Sequence, residues 1–155
     1  MTTDDFRTLS SEAQNKLLAR RLLEEVVATG AVDRLAEFLP SDCVVFPSQV
    51  RGLDWFREHL LTFHQCYPDL AVTVDGQIAE GDTVATWWTM RGTHLGKWGG
   101  IEATGKPIVL SGVNIQKIRA GRIVEHIGFS NSLEALMTLG VVGWAKPGPA
   151  KTGQK

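Results

Sequence analysis

The sequence carries no excess of charge of either sign. Its 155 residues include 16 Lys and Arg against 17 Asp and Glu, which leaves a formal net charge of −1. Proteins that bind nucleic acids or acidic membranes present a basic surface. No stretch of this chain is dominated by Lys and Arg. We therefore expect neither a nucleic acid nor a membrane as a partner.

The chain also lacks a long apolar segment. None approaches the ~18 residues that a membrane-spanning helix needs. The first nine residues contain Asp4 and Asp5 but no apolar stretch of the kind found in signal peptides. These features lead us to expect a cytoplasmic protein.

Cysteine is scarce, since Cys43 and Cys66 are the only two in the sequence. Each lies among apolar residues, and a chain of this length can fold around its own core without a disulfide. We expect both to be buried free thiols, which is the usual state of unpaired cysteine.

What the sequence does have is apolar residues, which make up 43% of it, together with 16 glycines. This length suits one hydrophobic core. We predict a single domain over residues 10–143. We predict flexible tails at residues 1–9 and 145–155, the second of which is rich in Pro, Gly and Lys.

Helical patterns occupy the first part of the chain. Apolar residues recur every four positions from Leu18 to Val26 and stop before Gly30, and a short second helix ends at Pro40. A third predicted helix has one apolar face, formed by Leu53, Phe56, Leu60 and Phe63. From Asp69 onward the apolar period changes to two, which predicts strands over 83–93, 106–118 and 122–130. Helices followed by strands indicate the α+β class.

A turn at Ala120-Gly121 joins the last two predicted strands. Counting outward from Arg119 opposite Arg122 predicts one mixed face, made of Gly112, Asn114, Gln116, Ile118, Ile123, Glu125, Ile127 and Phe129. The same count places His126 on the opposite face. A mainly apolar face with a few polar groups is typical of a cavity wall. The alternative is a sheet edge where the polar groups bond one another or water.

Several short segments then occur in a characteristic order. They include Gly81-Asp82, the run from Trp88 to Gly96, and the hairpin residues from Gly121 to His126. On these segments, the chain from about Asn15 to Gly140 resembles the SnoaL-like polyketide cyclases of the NTF2-like superfamily.

The resemblance implies an NTF2-like cone, in which a curved antiparallel sheet wraps around the N-terminal helices and leaves a deep apolar pocket. It also implies a homodimer formed through the sheet. Members of the family close a ring of a polyketide by acid/base chemistry, with neither a metal nor an organic cofactor. An aspartate on the last strand is their acid and base.

This chain departs from that pattern, because Asn131 occupies the position of the aspartate. An amide has no usable pKa near neutral pH, so Asn131 can orient a ligand or donate a hydrogen bond but cannot transfer a proton. His94 and Glu125 are the other candidate catalytic residues. The alternatives are that His94 fastens the glycine-rich loop and that Glu125 forms a surface salt bridge.

We predict a pocket lining of Phe46, Tyr67, Trp88, Met90, Trp98, Asn114, Gln116, Ile127 and Phe129. The same residues also suit a core, since most aromatic side chains at strand spacing are packing residues. His59 and His64 are five residues apart and do not form the i, i+4 pair of a helical metal site. We predict no metal and no cofactor.

Three functions fit these observations. The first is a cofactor-independent enzyme of the polyketide cyclase type, which acts on a hydrophobic polyketide or a related intermediate. The second is a non-catalytic protein that binds a hydrophobic small molecule. The third is an epoxide hydrolase of the limonene type, which needs an Asp-Arg-Asp set. In this chain Arg91 is followed by Gly92 and Thr93, so that set looks absent.

Overall fold

A computed structural model describes residues 10–143. The predicted tails at 1–9 and 145–155 lie outside the described residues. The helices are α1 (Ser11–Arg21), which continues as a π-helical segment (Leu22–Val27), a 3₁₀ turn (Val32–Arg34) leading into α2 (Leu35–Phe38), α3 (Asp54–Cys66) and α4 (Ser132–Leu139). The strands are β1 (Val44–Phe46), β2 (Val50–Arg51), β3 (Ala71–Glu80), β4 (Thr83–Thr93), β5 (Pro107–Arg119) and β6 (Arg122–Ser130). The predicted α+β class is confirmed.

The first helix begins at Ser10, whose hydroxyl accepts a hydrogen bond from the amide of Ala13 at 3.3 Å. That cap satisfies one of the free amides at a helix start. The segment Leu22–Val27 adds one residue to the helical turn. Its carboxylate Glu25 bonds Arg21 at 2.7 Å and Arg34 at 2.8 Å, and both guanidinium groups lie over the ring of Phe38. The network attaches α1 to α2.

The six strands form one unclosed sheet in the order β2-β1-β6-β5-β4-β3. Every neighbouring pair is antiparallel except β1 and β6, which are parallel. The expected antiparallel arrangement therefore holds for the three long pairs, β3–β4, β4–β5 and β5–β6, and the short parallel pair of β1 and β6 extends the sheet. The helices pack against one face, and two clusters of buried apolar side chains fill that space.

A β-bulge in the last hairpin changes the predicted register. Arg119 faces Arg122 as expected, and Ile118 pairs with Ile123. Lys117 then pairs with Glu125, so Val124 has no partner. An extra residue in one strand reverses the side-chain alternation beyond it. The prediction that His126 lies opposite Asn114 and Gln116 is therefore wrong, because His126 pairs with Gln116 and shares its face.

Cys43 and Cys66 are both buried and free, as expected. Burial raises the pKa of Cys43 to about 12, so its thiol stays protonated at neutral pH. Among residues 10–143, no helix is both long enough and apolar enough to cross a membrane.

Candidate functional site

A cavity of about 350 Å³ lies between the helices and the inner face of the sheet. Its apolar lining comes from the π-helical segment, α2, α3, strands β4 to β6 and the loop between β4 and β5. It consists of Leu22, Leu23, Val27, Leu35, Trp55, Phe56, Leu60, Phe63, Trp88, Met90, Trp98, Leu110 and Phe129. This volume falls within the range of small-molecule sites.

Few polar side chains reach the cavity. They are His59 from α3, Asn114 from β5, His126 from β6, and Ser130 and Ser132 at the start of α4. None of the described residues that line the cavity is Asp, Glu, Lys or Arg. The site therefore offers hydrogen bonds and two imidazoles in an apolar setting, without a formal charge.

His126 is held from behind by Gln116, whose Nε2 lies 3.1 Å from Nδ1 of the imidazole. Gln116 is 1% exposed, and the ring of Phe56 meets the imidazole edge to face at 5.2 Å. Burial lowers the pKa of His126 to about 4, and the nearby charge of His59 acts in the same direction. His126 is therefore neutral at pH 7.

The contact with Gln116 also sets the tautomer of His126. An amide nitrogen can only donate, so Nδ1 accepts, and the neutral ring carries its proton on Nε2. Nε2 lies next to Gly128, where an added Cβ would be 3.2 Å from it and 3.4 Å from Oδ1 of Asn114. Because Gly128 lines the cavity, His126 presents an N–H donor at its wall.

His59 lies on the helix that faces β6. Its ring stacks on Trp55 at 4.9 Å, with an interplanar angle of 7°, and contacts Phe63 at 5.6 Å. The residue as a whole is exposed, but loss of water around the packed part of its ring lowers the pKa of His59. The second imidazole is therefore also neutral at pH 7 and retains an unprotonated nitrogen.

Five of the predicted pocket residues line the cavity: Trp88, Met90, Trp98, Asn114 and Phe129. Trp88 fits because Gly112 on the neighbouring strand has no side chain where the indole lies. Phe129 is 59% exposed and borders the cavity at the end of β6. The role of these residues in binding stays a prediction.

The other four predicted pocket residues lie elsewhere. Tyr67 is 1% exposed within a core cluster, and Gln116 lies behind His126. Phe46 pairs with Ile127 where β1 meets β6. The bulge turns Ile127 to the outer face of the sheet. The prediction that Ile127 lies on the cavity wall is therefore wrong, for the same reason as the prediction for His126.

The three predicted catalytic residues do not line the cavity. His94 is fully buried, and its Nδ1 is bonded to the hydroxyl of Thr104 at 3.1 Å and to its amide at 3.3 Å, which fastens the glycine-rich loop. Glu125 lies 3.8 Å from Lys117, in the surface pair that was the alternative.

Asn131 stands at the start of α4, between Ser130 and Ser132. Its Oδ1 accepts from the amide of Ser111 at 2.8 Å, and its Nδ2 donates to Glu134 at 2.8 Å. Both ends of the amide are therefore occupied by contacts that join β5 to α4. This geometry gives Asn131 a structural contact on each side.

Sequence reasoning missed the two histidines of the cavity. A signal for His59 was present, because it is three residues after Phe56 and four before Phe63 on the apolar face of α3. For His126 the sequence offered no such signal, since its face depends on the bulge at Val124. Within residues 10–143 no group of three or more His, Cys, Asp and Glu side chains is placed to hold a metal ion.

An unclosed sheet packed against N-terminal helices around an apolar cavity defines the NTF2-like class of α+β proteins. The sequence matches the family described as SnoaL-like polyketide cyclase over residues 17–139. The chain belongs to that family. A comparison with curated proteins found no match.

Solved structures share this fold. TsrD from Streptomyces laurentii is 23% identical with a TM-score of 0.78, and the match covers 86% of this chain and 100% of that one. IdmH from Streptomyces antibioticus, a proposed polyketide cyclase, is 28% identical with a TM-score of 0.73 and coverages of 82% and 99%. AclR from Streptomyces galilaeus, a proposed hydroxylase, is 23% identical with a TM-score of 0.78 and coverages of 88% and 87%.

Proposed function

We propose that the chain is a cofactor-independent enzyme of the polyketide cyclase type, which closes a ring in a hydrophobic polyketide or a related intermediate by acid/base chemistry. The observation that carries the proposal is the cavity, in which two neutral imidazoles, His59 and His126, line a mainly apolar space. Membership of the SnoaL-like family and the likeness to IdmH support the same reaction class.

Ring closure of this kind has two chemical requirements. A base removes a proton from a carbon beside a carbonyl, and the resulting enolate carbon bonds to a second carbonyl carbon. Negative charge collects on the oxygens, where a fixed donor is most effective in a space without bulk water. The Nε2–H of His126, held by Gln116, supplies such a donor.

The lining also defines the substrate class. Aromatic side chains such as Trp88 and Phe63 favour flat rings, and the missing ionic partners disfavour a charged ligand. A neutral or weakly charged polyketide of a few rings matches a volume of about 350 Å³.

The test is incubation of the purified chain with a panel of linear and partly cyclised aromatic polyketides, with products identified by mass spectrometry and binding measured by tryptophan fluorescence. We expect binding and conversion by the native chain, and at least ~100-fold slower conversion by His126→Phe. The proposal fails if none of the compounds is converted.

A second candidate is a non-catalytic protein that binds the same class of compound. The observation in its favour is that Asn131 replaces the family's aspartate and that no carboxylate lines the cavity. Binding without conversion across the panel would select it. The epoxide hydrolase is not proposed, because Arg91 is exposed and no Asp or Arg belongs to the described lining.

The proposal includes a homodimer formed through the outer face of the sheet. That face carries exposed apolar side chains on three neighbouring strands, namely Ile78, Trp87, Val109 and Ile115. Apolar side chains grouped in this way are typical of an interface between copies of a chain.

A further inference from the structure

A groove of about 200 Å³ lies on the outer side of α3, separate from the volume of the cavity. It is lined by Trp55, Glu58, His59 and Thr62. Trp55 and His59 also line the cavity. The stacked pair of side chains therefore forms the wall between the cavity and the outside.

His59 differs from His126 in two respects that matter for proton transfer. Its ring has no hydrogen-bond partner within residues 10–143 and stacks on Trp55, whereas His126 is bonded to Gln116. His59 is also exposed and lines both the groove and the cavity, whereas His126 is half-buried and lines the cavity but not the groove. One imidazole is a fixed donor, and the other is free to gain and lose a proton.

We infer that His59 is the catalytic base of the cavity and that the outer groove keeps the free imidazole in protonic equilibrium with water between turnovers. The inference rests on the proposed acid/base function. An unprotonated nitrogen of His59 takes the proton from the carbon beside the carbonyl, and the electron pair of the C–H bond forms the enolate. After the new C–C bond has formed, the alkoxide oxygen takes a proton from the imidazolium, and the groove equilibrates His59 with solvent.

Charged neighbours of His59 are few. Glu58 shares the groove on the same helix, and His126 faces it from β6. The described linings of the cavity and the groove contain no other ionisable side chain. Burial is the effect that lowers the pKa of His59, and the neutral His126 adds no opposing charge to it at pH 7.

The test uses 5-nitrobenzisoxazole, a neutral bicyclic probe that needs only a base. When a base removes its C–H proton, the N–O bond breaks and a coloured cyanophenolate forms. The reaction needs no other reactant, because the electron pair of the C–H bond becomes part of the nitrile and the phenolate oxygen carries the charge. We expect the native chain to open the probe faster than buffer does. The rate should rise with pH to a plateau, and the midpoint of this rise should lie below the ordinary pKa of His. We expect His59→Gln to lower kcat/KM by at least ~100-fold.

Controls separate the role of His59 from its packing. His64→Gln alters the same helix outside the cavity, where the imidazole bonds Val27, and leaves the rate unchanged. His59→Asp restores part of the rate with a lower pH midpoint, because a carboxylate is a base of lower pKa. Glu58→Lys moves the midpoint of the native profile to lower pH, because a cation in the groove disfavours the imidazolium.

The inference is overturned if His59→Gln opens the probe as fast as the native chain, or if Glu58→Lys leaves the pH midpoint of the rate where it was. It is also overturned if the native chain opens the probe no faster than buffer does. These outcomes are independent of the cyclase reaction. If the chain opens the probe through His59 but converts no polyketide, the proposed function is contradicted and the assignment of His59 as a base is retained.

Discussion

The amide of Gln116 lies 3.1 Å from Nδ1 of His126, on the side of the ring away from the cavity. The contact joins adjacent strands at a paired position of the β5–β6 ladder. It holds the ring and fixes the tautomer, so the chemistry that His126 offers depends on a residue that does not line the cavity.

Gln116→Met removes this donor and keeps a similar side-chain volume. We expect the imidazole of His126 to populate both neutral tautomers, because Nδ1 loses the hydrogen bond that makes it an acceptor. The ¹⁵N chemical shifts of the ring measure the tautomer directly. Gln77→Met is the control, since Gln77 bonds Lys16 and Thr86 rather than an imidazole. A single Nε2–H tautomer in Gln116→Met would contradict the assignment.

The lowered pKa of His126 predicts how stability varies with pH. As the pH is lowered, His126 of the unfolded chain takes up its proton near pH 6.5, whereas His126 of the folded chain takes it up only when the pH falls to about 4. The unfolded state therefore holds more protons between these values, and stability is complete above pH 6.5 and falls as the pH is lowered to 4. We expect a loss of about 1 to 3 kcal/mol from this group.

Urea unfolding at several pH values measures that loss. His126→Phe lacks the titrating group, so its curve of stability against pH should be flatter over the same window. His64→Gln, which keeps His126, should follow the native curve. Equal slopes for the native chain and His126→Phe would show that His126 does not carry the effect.

Asn131→Asp tests whether the family's aspartate can be restored by one substitution. In this chain the new carboxylate would face Glu134, where Nδ2 now donates at 2.8 Å. We expect a loss of about 1 kcal/mol in the free energy of unfolding, from a lost hydrogen bond and like-charge repulsion. We expect no faster ring closure. Asn131→Asp with Glu134→Gln removes the repulsion and should recover part of the stability, and a gain in turnover would contradict the structural role.

Ile115→Lys tests the proposed dimer. Ile115 is 37% exposed at the centre of the outer face of the sheet, so a buried ammonium there would weaken association by at least ~100-fold. Analytical ultracentrifugation measures the dissociation constant. Leu61→Lys is the control, because Leu61 is 43% exposed on α3 rather than on the sheet. A monomeric native chain, or a variant that associates normally, would remove the proposal.

Gly112→Ala tests the close packing of Trp88 at the cavity wall. A methyl group at this position would overlap the indole of Trp88 and the carbonyl of Phe129. We expect a loss of about 1 to 3 kcal/mol, because a packed strand pair cannot absorb the added group without moving backbone. Urea unfolding measures it, and Ser111→Ala on the opposite, exposed side is the matched control. Equal midpoints for the two variants would contradict the clash.

The elements of the fold were predictable because their signals are local. The apolar face of α3 and the turn at Ala120-Gly121 both show in short stretches of sequence, and both residues of the turn have the positive φ angles of a two-residue hairpin. Helix and strand order then followed, and with it the α+β class.

The site was less predictable because its signals are not local. Val124 is a common strand residue, and the residues next to it in the sequence do not indicate a bulge. The place of Asn131 depends on contacts with Ser111 and Glu134, which the sequence does not reveal. Trp88 and Met90 line the cavity by the simple alternation of β4, a local pattern that the sequence shows.

The unpaired Val124 also has an evolutionary consequence. A β5–β6 hairpin without the bulge would place Glu125 opposite Gln116 and turn it toward the cavity, with His126 outside. Whether β6 has an extra residue between the turn and the cavity thus decides whether the cavity wall presents a carboxylate or an imidazole. A change from the bulged to a regular hairpin would let a lineage exchange one acid/base group for the other while keeping both residues in its sequence.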